Sequence, residues 1–232
     1  MKKLVALLLI SGVPLFAQDK AMEGIHLHMG LDTPPHWERS KENIRIFDEL
    51  SRRLGFTYDY ENYPASRLNF LVERGAVDGQ FMKTYGYGES QPNLVRLPTS
   101  YFTQTIQAYS QSFGIQVNSW SDLEHYSLVI MRGIQAFDSP LSTYLPEKEV
   151  IELKDIKSCV QFVESGRAQV TLLSDFLAEQ MRIDSDFDLH LAGDLNEHDM
   201  YFYLHRSFEE YIPLMDAALN DMMAEGFFTP KN

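Results

Sequence analysis

Apolar and polar positions along this chain change period in a regular order. Ile25 to Met29 alternate toward Gly30 as a first strand, and a loop with Pro34, Pro35, His36 and Trp37 follows. Ser40 then stands as a cap before Ile44, Phe47, Leu50 and Leu54, which recur at helical spacing up to Gly55. Phe56 to Tyr60 alternate again as a strand, Pro64 opens a second helix that runs to Gly75, and Val77 to Met82 form a third strand. Strands and helices alternating over short connections predict a parallel sheet covered by helices, with a crevice beyond the carboxyl ends of its strands.

The pattern breaks at Leu97 to Ser110, where Tyr101, Phe102, Thr103, Thr105, Ile106 and Tyr109 predict an extended crossover in place of a helix. A second α/β set follows. Its strands are expected at 127–131, 150–153 and 170–173, and its helices at 136–144, 155–165 and 175–182. Short strands at 189–191 and 200–205 precede a last helix, for which Ser207 and Glu210 match a capping box. Pro213 kinks that helix or makes it begin near Tyr211. The two sets share a phrase: Leu71 to Phe81 and Phe162 to Leu172 each run from an amphipathic helix through a glycine, Gly75 or Gly166, into an apolar strand. Two copies imply two lobes.

Composition narrows the function classes. Lys2 and Lys3, the apolar run Leu4 to Phe16 and the small Ala17 have the form of a cleaved signal peptide over residues 1–17, which predicts a periplasmic protein. The single cysteine, Cys159, falls on a predicted helix and excludes an intramolecular disulfide. Formal charge is −13, or −15 once Lys2 and Lys3 are lost, so nucleic acid and anionic lipid are poor partners. His26 and His28 share a strand face and His36 follows, but no nearby fourth ligand completes a metal site. Neither a dinucleotide fingerprint nor a serine nucleophile elbow is present, and no metal or cofactor is expected.

In motif order and spacing the mature chain resembles the family 3 extracellular solute-binding proteins of bacterial importers. The resemblance rests on Ser40 to Gly55, Pro64 to Arg67 with Gly75 to Gly79, Pro98 to Phe102, Ser121 to Leu123 before Val129 to Gly133, and Gly166 to Asp175. It implies an α/β, two-lobed periplasmic binding protein fold of type II, with a ligand cleft between lobes joined by two β crossovers. Lobe 1 would comprise 18–105 and 200–232, and lobe 2 would comprise 106–199. A small polar molecule, an amino acid or a relative, would be trapped by hinge closure and passed, by a monomer, to an inner-membrane permease. The same fold also serves sensor subunits of membrane signalling proteins and dehydratase-like enzymes, for which His36, Lys83 and Asp175 are the conceivable acids and bases.

Family members that bind α-amino acids hold the carboxylate with an arginine shortly after the third strand and the amine with an acid early in a lobe 2 helix. Lys83 stands near the first position and lacks the bidentate fork of arginine, while Asp175 stands at the second. Arg67 on the first turns of its helix is a replacement anion clamp, and Arg132 beside Gly133 is a second candidate for a ligand carboxylate. Trp37, Tyr63, Tyr85 and Tyr101 are expected at the mouth of lobe 1, where their rings would form a wall for the ligand.

Overall fold

The structure, a computed structural model, describes residues 21–184 and 187–229. The predicted signal peptide lies outside the described residues. Nine strands and six helices follow in the order β1 (His26–Leu31), α1 (Glu38–Leu54), β2 (Thr57–Asn62), α2 (Ala65–Glu73), β3 (Gly79–Thr84), β4 (Leu94–Arg96), β5 (Phe102–Ser110), β6 (Leu128–Met131), α3 (Gln135–Tyr144), β7 (Val150–Leu153), α4 (Ile156–Glu164), β8 (Val170–Ser174), α5 (Asp175–Asp184), β9 (His190–His205) and α6 (Ile212–Ala224).

All strands belong to one sheet of order β2-β1-β3-β9-β5-β8-β6-β7, with β4 also on β9. The β2-β1-β3 and β7-β6-β8 groups are parallel, as helical crossovers require, and each is joined to the centre by antiparallel pairing. The centre is the pair β5 and β9, antiparallel from Phe102 opposite Met200 to Ser110 opposite His190 with two shifts of register between. Strand β9 runs unbroken for 16 residues, where the sequence pattern predicts two short pieces. Its middle residues, Gly193 to Asp199, are polar or small except Leu195, none of them is fully buried, and the stretch shows no clean period.

The core is divided accordingly. One cluster joins Leu27, Phe47, Phe81 and Tyr101 to Phe202, Met215 and Leu219, so both ends of the described chain build one lobe. Others gather Ile106, Leu128 and Val170, and Val129, Cys159 and Leu173, beneath the second sheet half. The glycines that close the repeated phrases adopt the left-handed backbone, with φ of 67° at Gly75 and 72° at Gly166, and Gly55 closes α1 at 80°. Cys159 is fully buried, and desolvation pushes its thiol up to about 12, as packing without reactivity requires.

Two helix starts differ from the pattern. Helix α1 begins before Ser40, which is buried inside it and bonds Thr33 Oγ1 at 2.7 Å, so its hydroxyl is spent on the β1–α1 loop and not on the helix end. The Ser207–Glu210 capping box does not form, because Arg206–Tyr211 is a turn of 3-10 helix in which His205 accepts from the Ser207 N–H. Pro213 lies within the first two positions of α6, where its missing N–H is harmless.

The two ends of the first lobe are also clasped by charge. Glu49 accepts from Arg52 Nε and Arg53 Nε at 2.7 Å each, and Arg53 Nη2 reaches Glu225 Oε2 at 2.5 Å. Hydrogen bonding from Arg52, assisted by Arg53, holds the Glu49 carboxyl at about 2, below its ordinary 4.5. A depressed folded-state value contributes stability that is present above pH 4.5 and is lost as pH falls toward 2. Urea melts of wild type and Glu49→Gln are expected to differ most near neutral pH and to converge across that window; a pH-independent difference contradicts the clasp.

Packing at the crossover is equally restrictive. A Cβ on Gly193 would lie 1.8 Å from the Val117 carbonyl oxygen, a backbone atom that cannot swing aside, since Val117 N donates to Ala192 O at 2.9 Å. Gly193→Ala is expected to cost about 1–3 kcal/mol, read as a lower midpoint in denaturant melts.

Candidate functional site

Strand β3 does not reach β9 in simple register. Between the pairs Gln80–Tyr203 and Lys83–Tyr201 it carries one extra residue, and Met82 takes the left-handed backbone at φ 52°. That conformation is costly for a side chain larger than glycine and persists only where the surroundings fix it. Here the buried Tyr101 hydroxyl accepts the Met82 N–H at 2.9 Å, while its ring stacks on Phe202 with centroids 3.9 Å apart. The bulge turns Lys83 toward the carboxyl end of β1, where its ammonium meets Asp32 Oδ2 at 2.5 Å. Lys83 is buried and Asp32 nearly so, their side chains 9% and 12% exposed.

This ion pair lies on an inner chamber of about 60 Å³ between the two halves of the molecule. Such a volume holds about two waters or the head group of a ligand. From the first lobe it is lined by Asp32, Thr33, Lys83 and Thr84, and from the second by Met131, Phe137 and Ser174. Ser174, at the carboxyl end of β8, is 2% exposed and its Oγ has no hydrogen-bond partner among the described residues. A buried hydroxyl without a partner is a group that a ligand or water satisfies with gain. Through Asp32, Thr33, Met131 and Leu177 the inner chamber meets an outer one of about 560 Å³, walled by Trp37, Tyr63 and Pro64 on one side and by Arg132, Lys154 and Ile156 on the other.

The two walls touch. Trp37 packs on the second-lobe cluster that contains Val129 and Ile156, the Glu38 N–H donates to Gln180 Oε1 at 3.3 Å, and a Cβ on Gly133 would come within 3.1 Å of the Ser66 nitrogen. The conformation is closed.

Of the expected site residues, the structure brings Lys83 to the inner chamber and Trp37, Tyr63 and Arg132 to the outer one. Arg132 is already paired with Glu152 Oε2 at 3.0 Å, and the Tyr63 hydroxyl with Glu61 Oε2 at 2.7 Å. Arg67 is exposed, 6.0 Å over the Tyr63 ring, and lines neither chamber. Tyr85 is 65% exposed in a separate pocket of about 450 Å³, with the Arg96 guanidinium 4.0 Å from its ring. Tyr101 is not at the mouth of the lobe: it precedes β5 and is 2% exposed within the core, where its ring stacks on Phe202 and its hydroxyl accepts the Met82 N–H. Asp175 caps its own helix, accepting the Phe176 N–H at 2.8 Å, and opens onto a different cavity from the cleft.

Asp32 and Ser174 escaped the sequence reading. Both stand at the last turn of a strand's carboxyl end, the position where open α/β sheets present ligand-binding groups, and that position was the available signal. His26 Nε2 lies 3.1 Å from Asp59 Oδ2 and His28 Nδ1 contacts Asp59 Oδ1; among the described residues no group of three metal-ligating side chains forms.

Removal of one partner from a buried ion pair leaves the other charge uncompensated. Lys83→Met is expected to cost about 3–5 kcal/mol, and a Lys83→Met, Asp32→Leu double variant to recover most of that loss. Denaturant melts of the three proteins check this, and a double variant as unstable as the single one would contradict it.

No protein-family model matches the chain. A protein of Shewanella oneidensis that carries no functional description is 22% identical over 202 residues, covering 85% of this chain and 76% of its own. Among solved structures, a histidine kinase sensor domain with similarity to periplasmic binding proteins superposes with a TM-score of 0.73 at 11% identity, covering 91% of this chain and 93% of its own. The GluR0 ligand-binding core in complex with L-glutamate gives 0.70 at 12% identity over 87% and 93% of the two chains. The holo arginine-binding protein of T. maritima gives 0.69 at 16% identity over 85% and 90%. The chain therefore has the two-lobed α/β fold of the periplasmic binding proteins, with its cleft between lobes joined by β5 and β9.

Proposed function

We propose that this protein is a periplasmic solute-binding protein that closes on a small polar ligand, an amino acid or a related molecule, and delivers it to an ABC-type importer. The observation that carries the reading is the inner chamber between the lobes, where the Lys83–Asp32 pair and the unpartnered Ser174 hydroxyl face one another across the cleft. Opposite charges from one lobe and a hydroxyl from the other give a ligand more polar contacts in the closed form than in the open one, and that difference drives closure. The ligand's body would occupy the outer chamber, whose volume suits a small molecule. We assign lobe 1 to 18–105 and 200–232, lobe 2 to 106–199, and export to a signal peptide over 1–17.

No bond is broken in this scheme. The cleft ammonium pairs with Asp32, and the structural relatives named above are binding modules. A second reading, a ligand-binding sensor module for a membrane signalling protein, is favoured by the likeness to the kinase sensor domain.

The test is thermal unfolding of protein that has been denatured and refolded to strip carried ligand, against amino acids, polyamines, short peptides, and cyclic and aromatic carboxylates. One class is expected to raise the midpoint by about 2–4 °C per kcal/mol of linkage, with the effect lost in the Lys83→Met, Asp32→Leu variant. A folded protein that responds to none of them would overturn the reading.

A further inference from the structure

Three hydrogen-bond contacts run in a line that ends in the wall of the outer chamber. Asp59 Oδ1 contacts His28 Nδ1, His28 Nε2 lies 3.1 Å from the Tyr63 hydroxyl, and that hydroxyl lies 2.7 Å from Glu61 Oε2. The backbone sets this alignment. His28 and Asp59 are register partners on β1 and β2, the Tyr63 N–H donates to Leu31 O at 2.8 Å, and the Asn62 amide donates to Leu31 O and Thr33 O at 3.1 and 2.8 Å. The chain leaving β2 is thereby tied to the end of β1. The Tyr63 and His28 rings meet edge-on, at 88° with centroids 6.5 Å apart, and Tyr63 lines the outer chamber.

The protons along this line can be counted. Both ends are carboxylates, which accept and do not donate. Hydrogen bonds from His28 and then His26 hold the Asp59 carboxyl below its ordinary range, while burial and then Glu61 raise the Tyr63 phenol, which keeps its proton. Three contacts between acceptor-only ends need three protons. A neutral imidazole brings one and the phenol another, so one contact would set lone pair against lone pair. An imidazolium fills all three, donating from Nδ1 to Asp59 and from Nε2 to Tyr63, whose O–H then donates to Glu61. Also facing this line are His26, with Nε2 3.1 Å from Asp59 Oδ2, Asp78, whose Oδ2 accepts the His28 N–H at 2.8 Å, and Arg67 of α2, 6.0 Å over the Tyr63 ring.

From this count we propose that His28 is a positioning residue for the cleft: as an imidazolium it completes the line from Asp59 to Glu61 that holds the Tyr63 ring in the chamber wall, and loss of its proton releases the ring. The inference rests on the reading of that chamber as a ligand site. The held state binds one proton more than the released state, so it is favoured as pH falls, down to the pH at which the end carboxylates are themselves protonated. Histidine changes charge between about pH 5 and 8. The surrounding pH therefore sets how much of the wall is ordered before a ligand arrives, and a ring already in place spares a ligand the cost of ordering it.

The test needs no ligand, so its failure and a failure of the binding reading are separable. Protein carrying ¹⁵N-histidine and ring-¹³C-tyrosine is titrated from about pH 5 to 9, with the His28 and Tyr63 signals assigned by their loss in His28→Gln and Tyr63→Phe. At the acid end both His28 ring nitrogens are expected to resonate as N–H nitrogens. The Tyr63 Cζ shift, which reports the hydrogen bonding of its hydroxyl, is expected to step at the His28 midpoint, and ring relaxation to show faster motion above it. The step is expected to vanish in His28→Gln and to survive in His26→Gln. A Tyr63 signal that does not move through the His28 midpoint, or that moves unchanged in His28→Gln, would overturn the inference. So would loss of the step in His26→Gln, for the proton would then act from the neighbouring histidine.

Discussion

Everything in this molecule hangs on the antiparallel ladder between β5 and β9. It is the seam where a parallel sheet half on one side meets a parallel half on the other, and both halves borrow their inner edge from it. The ladder changes register twice, between Ile106 and Gln107 and between Ala108 and Tyr109. Each irregularity removes a ladder bond and bends the strands, so the seam is stiff along its length and compliant at defined points.

The second constraint is local. A single inserted residue in β3 fixes Met82 in a strained backbone, and the strain is held by the Tyr101 hydroxyl and the stack on Phe202. The result is a lysine directed into a buried chamber beside an aspartate of its own lobe. In bulk water such a pair is worth little, whereas in a site that excludes water it is held firmly and is costly to break. A ligand that enters must exchange its own polar groups for this bond, and so the chamber selects for molecules able to answer both charges or to lie against the pair without disturbing it. This differs from a cleft with a free guanidinium, whose planar fork is open to a ligand carboxylate.

Fold and site were legible to different depths. The repeated helix–glycine–strand phrase, the crossover at 97–110 and the alternation of elements all follow from local chemistry: left-handed glycines at Gly75 and Gly166, alternating burial from Phe102 to Ala108 in β5, apolar stripes in α1 and α4. The candidate site was half legible. Lys83 could be singled out because it stands near the end of the third strand, but Asp175 is one residue past Ser174, the neighbour that lines the inner chamber, and Tyr101 is drawn into the core by its stack on Phe202, a contact between distant segments.

By itself the sequence determined most of the strands and helices and their arrangement in two α/β sets, because these depend on periodicity and backbone preference; the short β4 and the unbroken run of β9 carry no clean period and did not show in it. Tertiary structure decided what the polar residues do. Asp32 and Lys83 are 51 positions apart and meet only because a bulge sets the register. Arg39 is left without a partner while Glu38 and Glu42 on the same helix find theirs, and Ser174 takes the place in the cleft that Asp175 leaves. Those pairings are set by distances between elements far apart in the chain, and no local pattern encodes such a distance.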